Sequence, residues 1–233
     1  MSRARRGLSR SMTTIGFIGS GYIGGTVARL AVAAGYDVVV SNSRGPETLK
    51  ELVDELGPKA RAATATEAAA AGDIVVVSVP FKAFDQLPVA ELTGKVVLDT
   101  NNYYPQRDGH FEALDAKSTT SAALEQEHLA GAKLVKVFNN INYKHLASLA
   151  RPAGAPDRSA LPIAGDDETA KQTATEFLTT IGYDAVDTGS LAESWRQEPG
   201  QPVYGPPYGT YEDPIGTPAD ADTIRKAVAA AQR

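Results

Sequence analysis

The chain has 233 residues, a formal net charge of −5 at pH 7 and no cysteine. This length allows one large domain or a domain with a small partner, and the missing thiols exclude disulfides, thiolate catalysis and cysteine-based metal sites. The acidic charge argues against a nucleic-acid partner, and no apolar run is long enough to span a membrane.

Residues 1–12 are expected to form a disordered extension. Four arginines and no acidic residue lie within the first ten residues, but no uninterrupted apolar region follows as it would in a targeting peptide. The apolar stretch Thr14–Ile18, predicted to be a buried strand, comes next and cannot be cleaved away without destroying the fold. We therefore expect a cytoplasmic protein.

The segment after this strand has the glycine spacing of a dinucleotide-binding loop. Gly19 permits a tight turn, Gly21 lets a pyrophosphate approach the backbone, and Gly24 lets the next helix pack closely. The helix is predicted to stop at Gly35, before a second strand over Asp37–Val40. The loop amides and the helix N-terminus should then face the phosphates, which makes these residues candidate cofactor ligands: Gly19, Ser20, Gly21, Tyr22 and Ile23. The alternative is a glycine-rich turn without a ligand.

The residues after the second strand indicate which dinucleotide is bound. Sites that prefer NAD place Asp or Glu here to bind the ribose 2′-hydroxyl. This chain has Ser41, Asn42, Ser43 and Arg44 instead, and hydroxyls, an amide and a guanidinium can bind a 2′-phosphate that a carboxylate would repel. Asn42, Ser43 and Arg44 therefore predict NADP(H), although Arg44 could also be an ordinary solvated charge.

The following residues continue the alternation of strand and helix. The pattern predicts helices over Pro46–Leu56 and Thr66–Ala71 with a short strand, Ala60–Ala63, between them. Three further strands are predicted over Asp73–Val79, Lys95–Asp99 and Lys133–Phe138, of which the first is apolar enough to be covered on both faces. The fold class is therefore α/β, a doubly wound parallel Rossmann sheet.

Ligands of such sheets lie at the carboxyl ends of the strands. Two of these ends are rich in amides, at Asn101 and Asn102 and at Asn139 and Asn140, and an amide suits a nicotinamide carboxamide or the edge of a heterocycle. Asn also favours turns, so a purely structural role remains open. Val79, Pro80 and Phe81 form a third strand end, where Phe81 could contact the nicotinamide ribose or belong to the core.

The C-terminal part is predicted to be a small α/β domain, residues 143–233, which follows a nucleotide-binding domain of residues 13–142. Its predicted elements are a helix over Tyr143–Leu149, a strand over Leu161–Gly165, a helix over Glu168–Ile181 capped by Asp166 or Asp167, a strand over Tyr183–Asp187 and a helix over Thr217–Gln232. Ser190–Pro214 is predicted to be an ordered loop over a pocket, where Trp195 could stack on a flat ligand or pack against the core.

Several of these motifs occur together in one known family. They are Gly16–Gly24, Ser43–Pro46, Val79–Pro80, Val135–Asn139 and Ala164–Asp167, with a tail, Asp187–Trp195, similar to that of bacterial members. From Thr13 onward the chain resembles the coenzyme F420-dependent NADP oxidoreductases. This resemblance implies a homodimer in which a deazaflavin ring lies over the nicotinamide and hydride passes between them.

Carried over, the resemblance places Ser20–Ile23 at the pyrophosphate and Ser43 and Arg44 at the 2′-phosphate. It places Phe81, Asn101–Tyr104 and Asn139 near the nicotinamide and the second substrate. We assign Val79, Pro80, Phe81, Asn101 and Asn139 to NADP(H), and the substrate-binding residues are Asn102, Tyr104, Asn140 and Trp195. Asn101–Tyr104 is more polar and aromatic than its archaeal counterpart, so FMN stays beside coenzyme F420 as the second substrate.

The residue inventory is compatible with hydride transfer, which needs parallel rings and a dry cleft but no strong general base. His110, His128 and His145 have no ligand spacing, so we name no catalytic residue and no metal ligand. Two alternatives remain open. One is an NADPH-dependent reductase of a small imine or carbonyl substrate, and the other is a non-catalytic NADPH-binding sensor.

Overall fold

A computed structural model describes residues 13–233, so the predicted extension lies outside the described residues. Eight strands form one sheet in the order β3-β2-β1-β4-β5-β6-β7-β8. The strands are β1 (Thr14–Ile18), β2 (Asp37–Ser41), β3 (Ala60–Ala62), β4 (Ile74–Val77), β5 (Val96–Asp99), β6 (Lys133–Lys136), β7 (Ala160–Gly165) and β8 (Asp184–Asp187).

The connections between the strands contain most of the helices. They are α1 (Tyr22–Ala33), α2 (Lys50–Leu56), α3 (Ala65–Ala71), α4 (Val89–Leu92), α5 (Pro105–Asp108), α6 (Glu112–Asp115), α7 (Ser121–His128), α8 (Tyr143–Ser148), α9 (Glu168–Ile181) and α10 (Ala221–Ala229). Four 3₁₀ helices complete the secondary structure of residues 13–233, at Pro46–Leu49, Phe81–Gln86, Leu191–Gln197 and Pro206–Tyr208.

Strands β1 to β6 are parallel, and β1 and β4 lie at the centre of this arrangement. All four residues of β4 are buried, as its continuous apolar run requires of a strand covered on both faces. The predicted α/β fold with a doubly wound, largely parallel sheet is therefore confirmed.

The sheet reverses direction after β6. Strand β7 pairs with β6 antiparallel, and β8 then pairs with β7 parallel. Helix α9 links the two parts of the chain, because Phe177 packs against Phe138 after β6 and against Tyr36 before β2. Residues 143–233 thus extend the same sheet and share its core, and their separate role as a substrate or dimerisation domain stays a prediction.

Several predicted boundaries differ from the observed ones. The chain at Pro46–Leu49 is a 3₁₀ helix that leads into α2 rather than the start of one α-helix. The last helix begins at Ala221 instead of Thr217, because Thr217 donates to the Tyr208 carbonyl and Ala219 to the Ser159 hydroxyl, which holds this stretch outside the helix. Within residues 13–233, no helix combines the length and the apolar character needed to cross a bilayer.

Candidate functional site

Two of the three loop glycines are required by the protein's own packing. Gly19 has φ +96°, and a Cβ there would overlap the carbonyl oxygen of Ser78. A Cβ on Gly24 would overlap the carbonyl oxygen of Gly19 itself. The tight turn after β1 and the close approach of α1 to that turn therefore both depend on glycine.

Gly21 differs from these two glycines, because no contact among residues 13–233 requires a glycine there. Its backbone has φ −73° and ψ −155°, which any residue can adopt, and no atom of the described residues lies within 4 Å of a Cβ built on it. Gly21 precedes the first residue of α1, and its own side-chain position therefore opens onto free space at the N-terminus of a helix of 12 residues. Such an end presents unpaired N–H groups to an anion.

The side chains of this loop make contacts within the protein. The Ser20 hydroxyl donates to the Ser41 carbonyl at 2.6 Å, which ties the loop to the end of β2. Tyr22 is 75% exposed and stacks on Tyr143 at the start of α8, with ring centroids 4.5 Å apart. The loop therefore offers mainly its backbone amides to a ligand, and Tyr22 connects α1 to the end of β6 through α8.

The turn after β2 presents Ser43 and Arg44 to solvent. The Asn42 Oδ1 atom accepts hydrogen bonds from the backbone N–H groups of Arg44 and Gly45, both at 3.0 Å. Asn42 thus shapes the turn, while Arg44 is exposed and its guanidinium has no ion-pair partner within the described part of the chain. Glu47 is the acidic group here, since its carboxylate occupies the space where a Cβ of Gly45 would lie.

Asn101 occupies the end of β5 but turns its side chain inward. Its Oδ1 accepts from the Val79 N–H at 2.8 Å, its Nδ2 donates to Glu125 at 2.9 Å, and the residue is 2% exposed. Phe81 is fully buried and stacks on Phe84 at 4.9 Å. Phe81 therefore belongs to the core, which was one of its two predicted roles. The side chain of Asn101 binds the Val79–Pro80 turn and does not face the surface.

Asn102 and Asn139 meet at the edge of the sheet. Asn139 Nδ2 donates to Asn102 Oδ1 at 3.1 Å, and Asn102 Nδ2 donates to the Asn139 carbonyl at 2.8 Å. Gln197 completes the group, because its Nε2 donates to Asn139 Oδ1 at 2.9 Å while its carbonyl accepts from Asn139 Nδ2 at 2.7 Å. The two predicted amide-rich strand ends thus contact each other and the 3₁₀ helix at Leu191–Gln197.

Asn140 lines a cavity of about 520 Å³ beside this group. Two stretches of the chain supply the rest of the lining. Ile141, Asn142 and His145 come from the first, and Tyr204–Pro206 and Gly209–Tyr211, here called the second wall, come from the other. The Tyr204 hydroxyl contacts the Tyr104 hydroxyl, so Tyr104 lies next to this wall. Burial, followed by the hydrogen bond to Tyr104, raises the pKa of the Tyr204 phenol, which therefore stays neutral at physiological pH.

Trp195 lies in a different cavity, of about 460 Å³, together with Tyr103, Pro105 and Arg233. Its ring is covered by the Arg196 guanidinium, 4.4 Å from the ring centroid. The sequence analysis predicted Trp195 as a substrate-binding residue together with Asn102, Tyr104 and Asn140. The structure brings Asn102, Asn139, Asn140 and Tyr104 together and places Trp195 apart from them.

Sequence reasoning missed four residues that organise this edge, namely Glu125, Lys136, Gln197 and Tyr204. Lys136 and Glu125 are both 0% exposed, and a lysine in an apolar strand is the one signal that could have indicated a buried ion pair. Gln197 and Tyr204 lie far along the chain from the residues they contact. Among residues 13–233, no group of His, Asp or Glu side chains could hold a metal ion.

Comparisons with known proteins agree with this architecture. The family described as NADP oxidoreductase, coenzyme F420-dependent, matches residues 14–103. A hypothetical protein of known structure, SMa0349 from Sinorhizobium meliloti, is 30% identical with a TM-score of 0.72, and the match covers 83% of this chain and 93% of that protein. A candidate F420-dependent NADP reductase from Arthrobacter sp. FB24 is 24% identical with a TM-score of 0.65, over 77% of this chain and 86% of that one.

One curated relative is much longer than this chain. The metalloreductase STEAP3 of Rattus norvegicus is 29% identical over 188 residues, which is 79% of this chain but 35% of the rat protein. A second curated relative, the protein YjhV of Escherichia coli, is 43% identical over 53 residues, which is 23% of this chain and 39% of that protein. The chain thus spans 35% to 39% of the length of these two relatives. Nothing in these matches extends the likeness to the remaining residues of the two relatives.

Proposed function

The chain belongs to the family of coenzyme F420-dependent NADP oxidoreductases, and we propose that it transfers a hydride between NADP(H) and a deazaflavin- or flavin-type acceptor, with coenzyme F420 the first choice. The observation that carries the proposal is the open space at Gly21. The protein needs glycine at positions 19 and 24 for its own packing, whereas at position 21 only a ligand's approach accounts for the missing side chain.

The residues present fit NADP(H). The amides of Gly19–Ile23 at the N-terminus of α1 would hold the pyrophosphate, and Ser43 and Arg44 would bind the 2′-phosphate by charge-assisted hydrogen bonds. Asn42 would act indirectly, because its side chain fixes the turn that presents these two residues. When bound, the nicotinamide supplies or accepts the hydride, and the protein's task is to orient it and exclude water.

The cavity lined by Asn140 is the proposed acceptor site. The amide oxygen of Asn140, the amide nitrogen of Asn142 and the Nδ1 atom of His145 are buried without a hydrogen-bond partner within residues 13–233, and all three residues line this cavity. Each unpaired buried polar atom costs about 1–3 kcal/mol. A flat acceptor in this cavity would lie beside these polar residues and could stack on the lining tyrosines Tyr204 and Tyr211.

The decisive experiment mixes the protein with NADPH and each acceptor under anaerobic conditions. We expect oxidised F420 to lose its deazaflavin absorbance, and FMN to react more slowly. Reduction of FMN alone would support the hydride-transfer mechanism and identify a flavin, instead of coenzyme F420, as the acceptor. If neither ring is reduced at saturating NADPH, the proposal is wrong, and turnover of a small imine or ketone would identify a reductase of that class. NADPH binding without any turnover would identify a sensor.

We also propose that the protein is a homodimer, as the family resemblance implies, and that it is cytoplasmic, as we infer from the N-terminal sequence. Light scattering coupled to size-exclusion chromatography should give a mass of about twice the 24.5 kDa of one chain. A monomer at micromolar concentration would remove this part of the proposal and leave the nucleotide assignment intact, because the loop and turn that form the nucleotide site all come from one chain.

A further inference from the structure

Four polar residues are buried together beneath the Val79–Pro80 turn. Asp99 ends β5, Lys136 ends β6, Glu125 lies on α7 and Asn101 follows β5. Asp99, Glu125 and Lys136 are each 0% exposed. Lys136 Nζ contacts Asp99 Oδ2 at 2.9 Å and also donates to the Asn101 carbonyl, and Asp99 Oδ1 accepts from the Asn101 N–H at 2.7 Å. The cluster therefore has two carboxyl groups and one cation.

The single cation pairs with Asp99, which leaves Glu125 without a counter-charge. Burial is the main cause that raises the pKa of the Glu125 carboxyl, to about 8, and the nearby Asp99 carboxylate raises it further against the opposing effects of Lys136 and Asn101. At pH 7 Glu125 is thus mostly protonated, and the cluster is neutral as a whole. Above pH 8 it would bury one uncompensated negative charge.

No other ionisable group accounts for this state of Glu125. Two 3₁₀ helices, Phe81–Gln86 and Leu191–Gln197, also pack against α7. Their charged residues are Lys82 and Asp85, which are exposed, and Glu193 and Arg196, which pair with each other at 2.8 Å. Glu198, directly after the second of these helices, accepts hydrogen bonds from Ser121 at the start of α7. Strand β6 also packs against α7, and its Lys133 pairs with Asp167 at 3.0 Å. The protonation of Glu125 is therefore governed by its burial and by Asp99 and Lys136.

Asn101 connects this cluster to the nucleotide site. A flipped side-chain amide would lose the hydrogen bond with Val79, because Oδ1 accepts from the Val79 N–H while Nδ2 donates to Glu125 Oε2. Val79 directly follows Ser78, whose carbonyl lies against Gly19 of the glycine loop. The chain of contacts thus runs from Glu125 through Asn101 to the turn beside the loop.

We propose that Glu125 is a positioning residue that acts through Asn101 to hold the Val79–Pro80 turn against the bound nucleotide. The inference rests on the proposed nucleotide site. The neutral carboxyl accepts the Asn101 hydrogen bond and keeps the cluster uncharged. When Glu125 loses its proton, the resulting carboxylate repels Asp99, and the contacts that hold the Val79–Pro80 turn weaken. NADPH binding therefore weakens as pH rises through about 8.

The test measures the dissociation constant of NADPH between pH 6 and pH 9 by titration calorimetry, for the wild type and for Glu125→Gln. If binding requires the protonated carboxyl, wild-type affinity falls about tenfold from pH 7 to pH 9, since each pH unit above a pKa removes about nine-tenths of the protonated form. Glu125→Gln keeps an acceptor for Asn101 and cannot ionise, so its affinity should match that of the wild type at pH 7 and stay constant to pH 9.

Two further variants separate positioning from general stability. Glu125→Leu removes the acceptor and should weaken NADPH binding at pH 7 about fivefold, or about 1 kcal/mol. Glu127→Gln removes a carboxylate from the exposed face of the same helix and should retain the wild-type pH profile. A purely structural role would lower the melting temperature without changing the profile.

The proposal is overturned if the profiles of the wild type and Glu125→Gln coincide, or if Glu125→Leu folds and binds NADPH as the wild type does. If Glu125→Leu fails to fold, the pH profiles of the wild type and Glu125→Gln still test the proposal. A wild-type protein that binds no NADPH at any pH contradicts the proposed nucleotide site instead, so the two failures are distinguishable.

Discussion

Replacing Arg44 with alanine should remove the preference for NADPH over NADH and leave the fold unchanged. The turn does not depend on the guanidinium, because Asn42 holds it through the backbone N–H groups of Arg44 and Gly45. A charge-assisted hydrogen bond contributes about 1.5–3 kcal/mol, and the exposure of Arg44 favours the lower end of that range. We therefore expect the NADPH dissociation constant of Arg44→Ala to rise about tenfold, or about 1.4 kcal/mol, with NADH binding nearly unchanged.

Calorimetric titrations with both nucleotides test this prediction. Lys50→Ala, an exposed cation paired with Asp54 one helical turn away, serves as the charge-matched control and should bind like the wild type. Glu47→Gln removes the acidic group of the same turn and should strengthen NADPH binding. The NADPH preference should also shrink in high salt, which screens exposed charges. Equal affinity of the wild type for NADPH and NADH, or a preference retained by Arg44→Ala, would refute the reasoning.

Three further predictions concern other parts of the site. Gly21→Val should abolish binding of both nucleotides without changing the melting temperature, because no atom of residues 13–233 lies within 4 Å of the added Cβ. Retained NADPH binding would show that the phosphates bind elsewhere. Lys136→Met leaves a buried carboxylate unpaired and should lower the free energy of unfolding in urea by about 3–5 kcal/mol, unlike Lys133→Met at an exposed position of the same strand. Tyr211→Ala should raise the acceptor KM about threefold to tenfold through lost stacking, and a larger effect of Trp195→Ala would place the acceptor in the other cavity.

The elements that sequence reasoning predicted well are those with a strong local pattern. Strand β1 was predicted with its observed bounds, because its residues are apolar and the glycine turn follows directly. Helix α9 also has its predicted bounds, since Asp167 caps its start and Gly182, with φ +116°, ends it. In both cases the information lies within a few residues of each boundary.

What the sequence did not reveal depends on contacts between distant residues. The reversal of β7 against β6 is a pairing of residues that lie far apart in the sequence, such as Val135 with Gly165. The inward orientation of Asn101 depends on Glu125, 24 residues away. The separation of Trp195 from Asn140 is likewise a property of the packed chain, although each residue was a reasonable candidate by itself.

Residues 197–211, which include part of the cavity lining, are held in part through their own backbone and in part through side chains such as those of Gln197, Tyr204 and Tyr208. Asn139 and Asn140 donate their amide N–H groups to the carbonyls of Gln197 and Val203, and the Gly205 N–H donates to the Asn140 carbonyl at 2.9 Å. Such bonds tolerate most side-chain exchanges in the segment that they anchor. A lineage could therefore acquire a new electron acceptor by substitutions in this one stretch, while the nucleotide loop and its pyrophosphate contacts are inherited unchanged. Divergence of acceptor specificity without divergence of fold is the evolutionary path that this attachment favours.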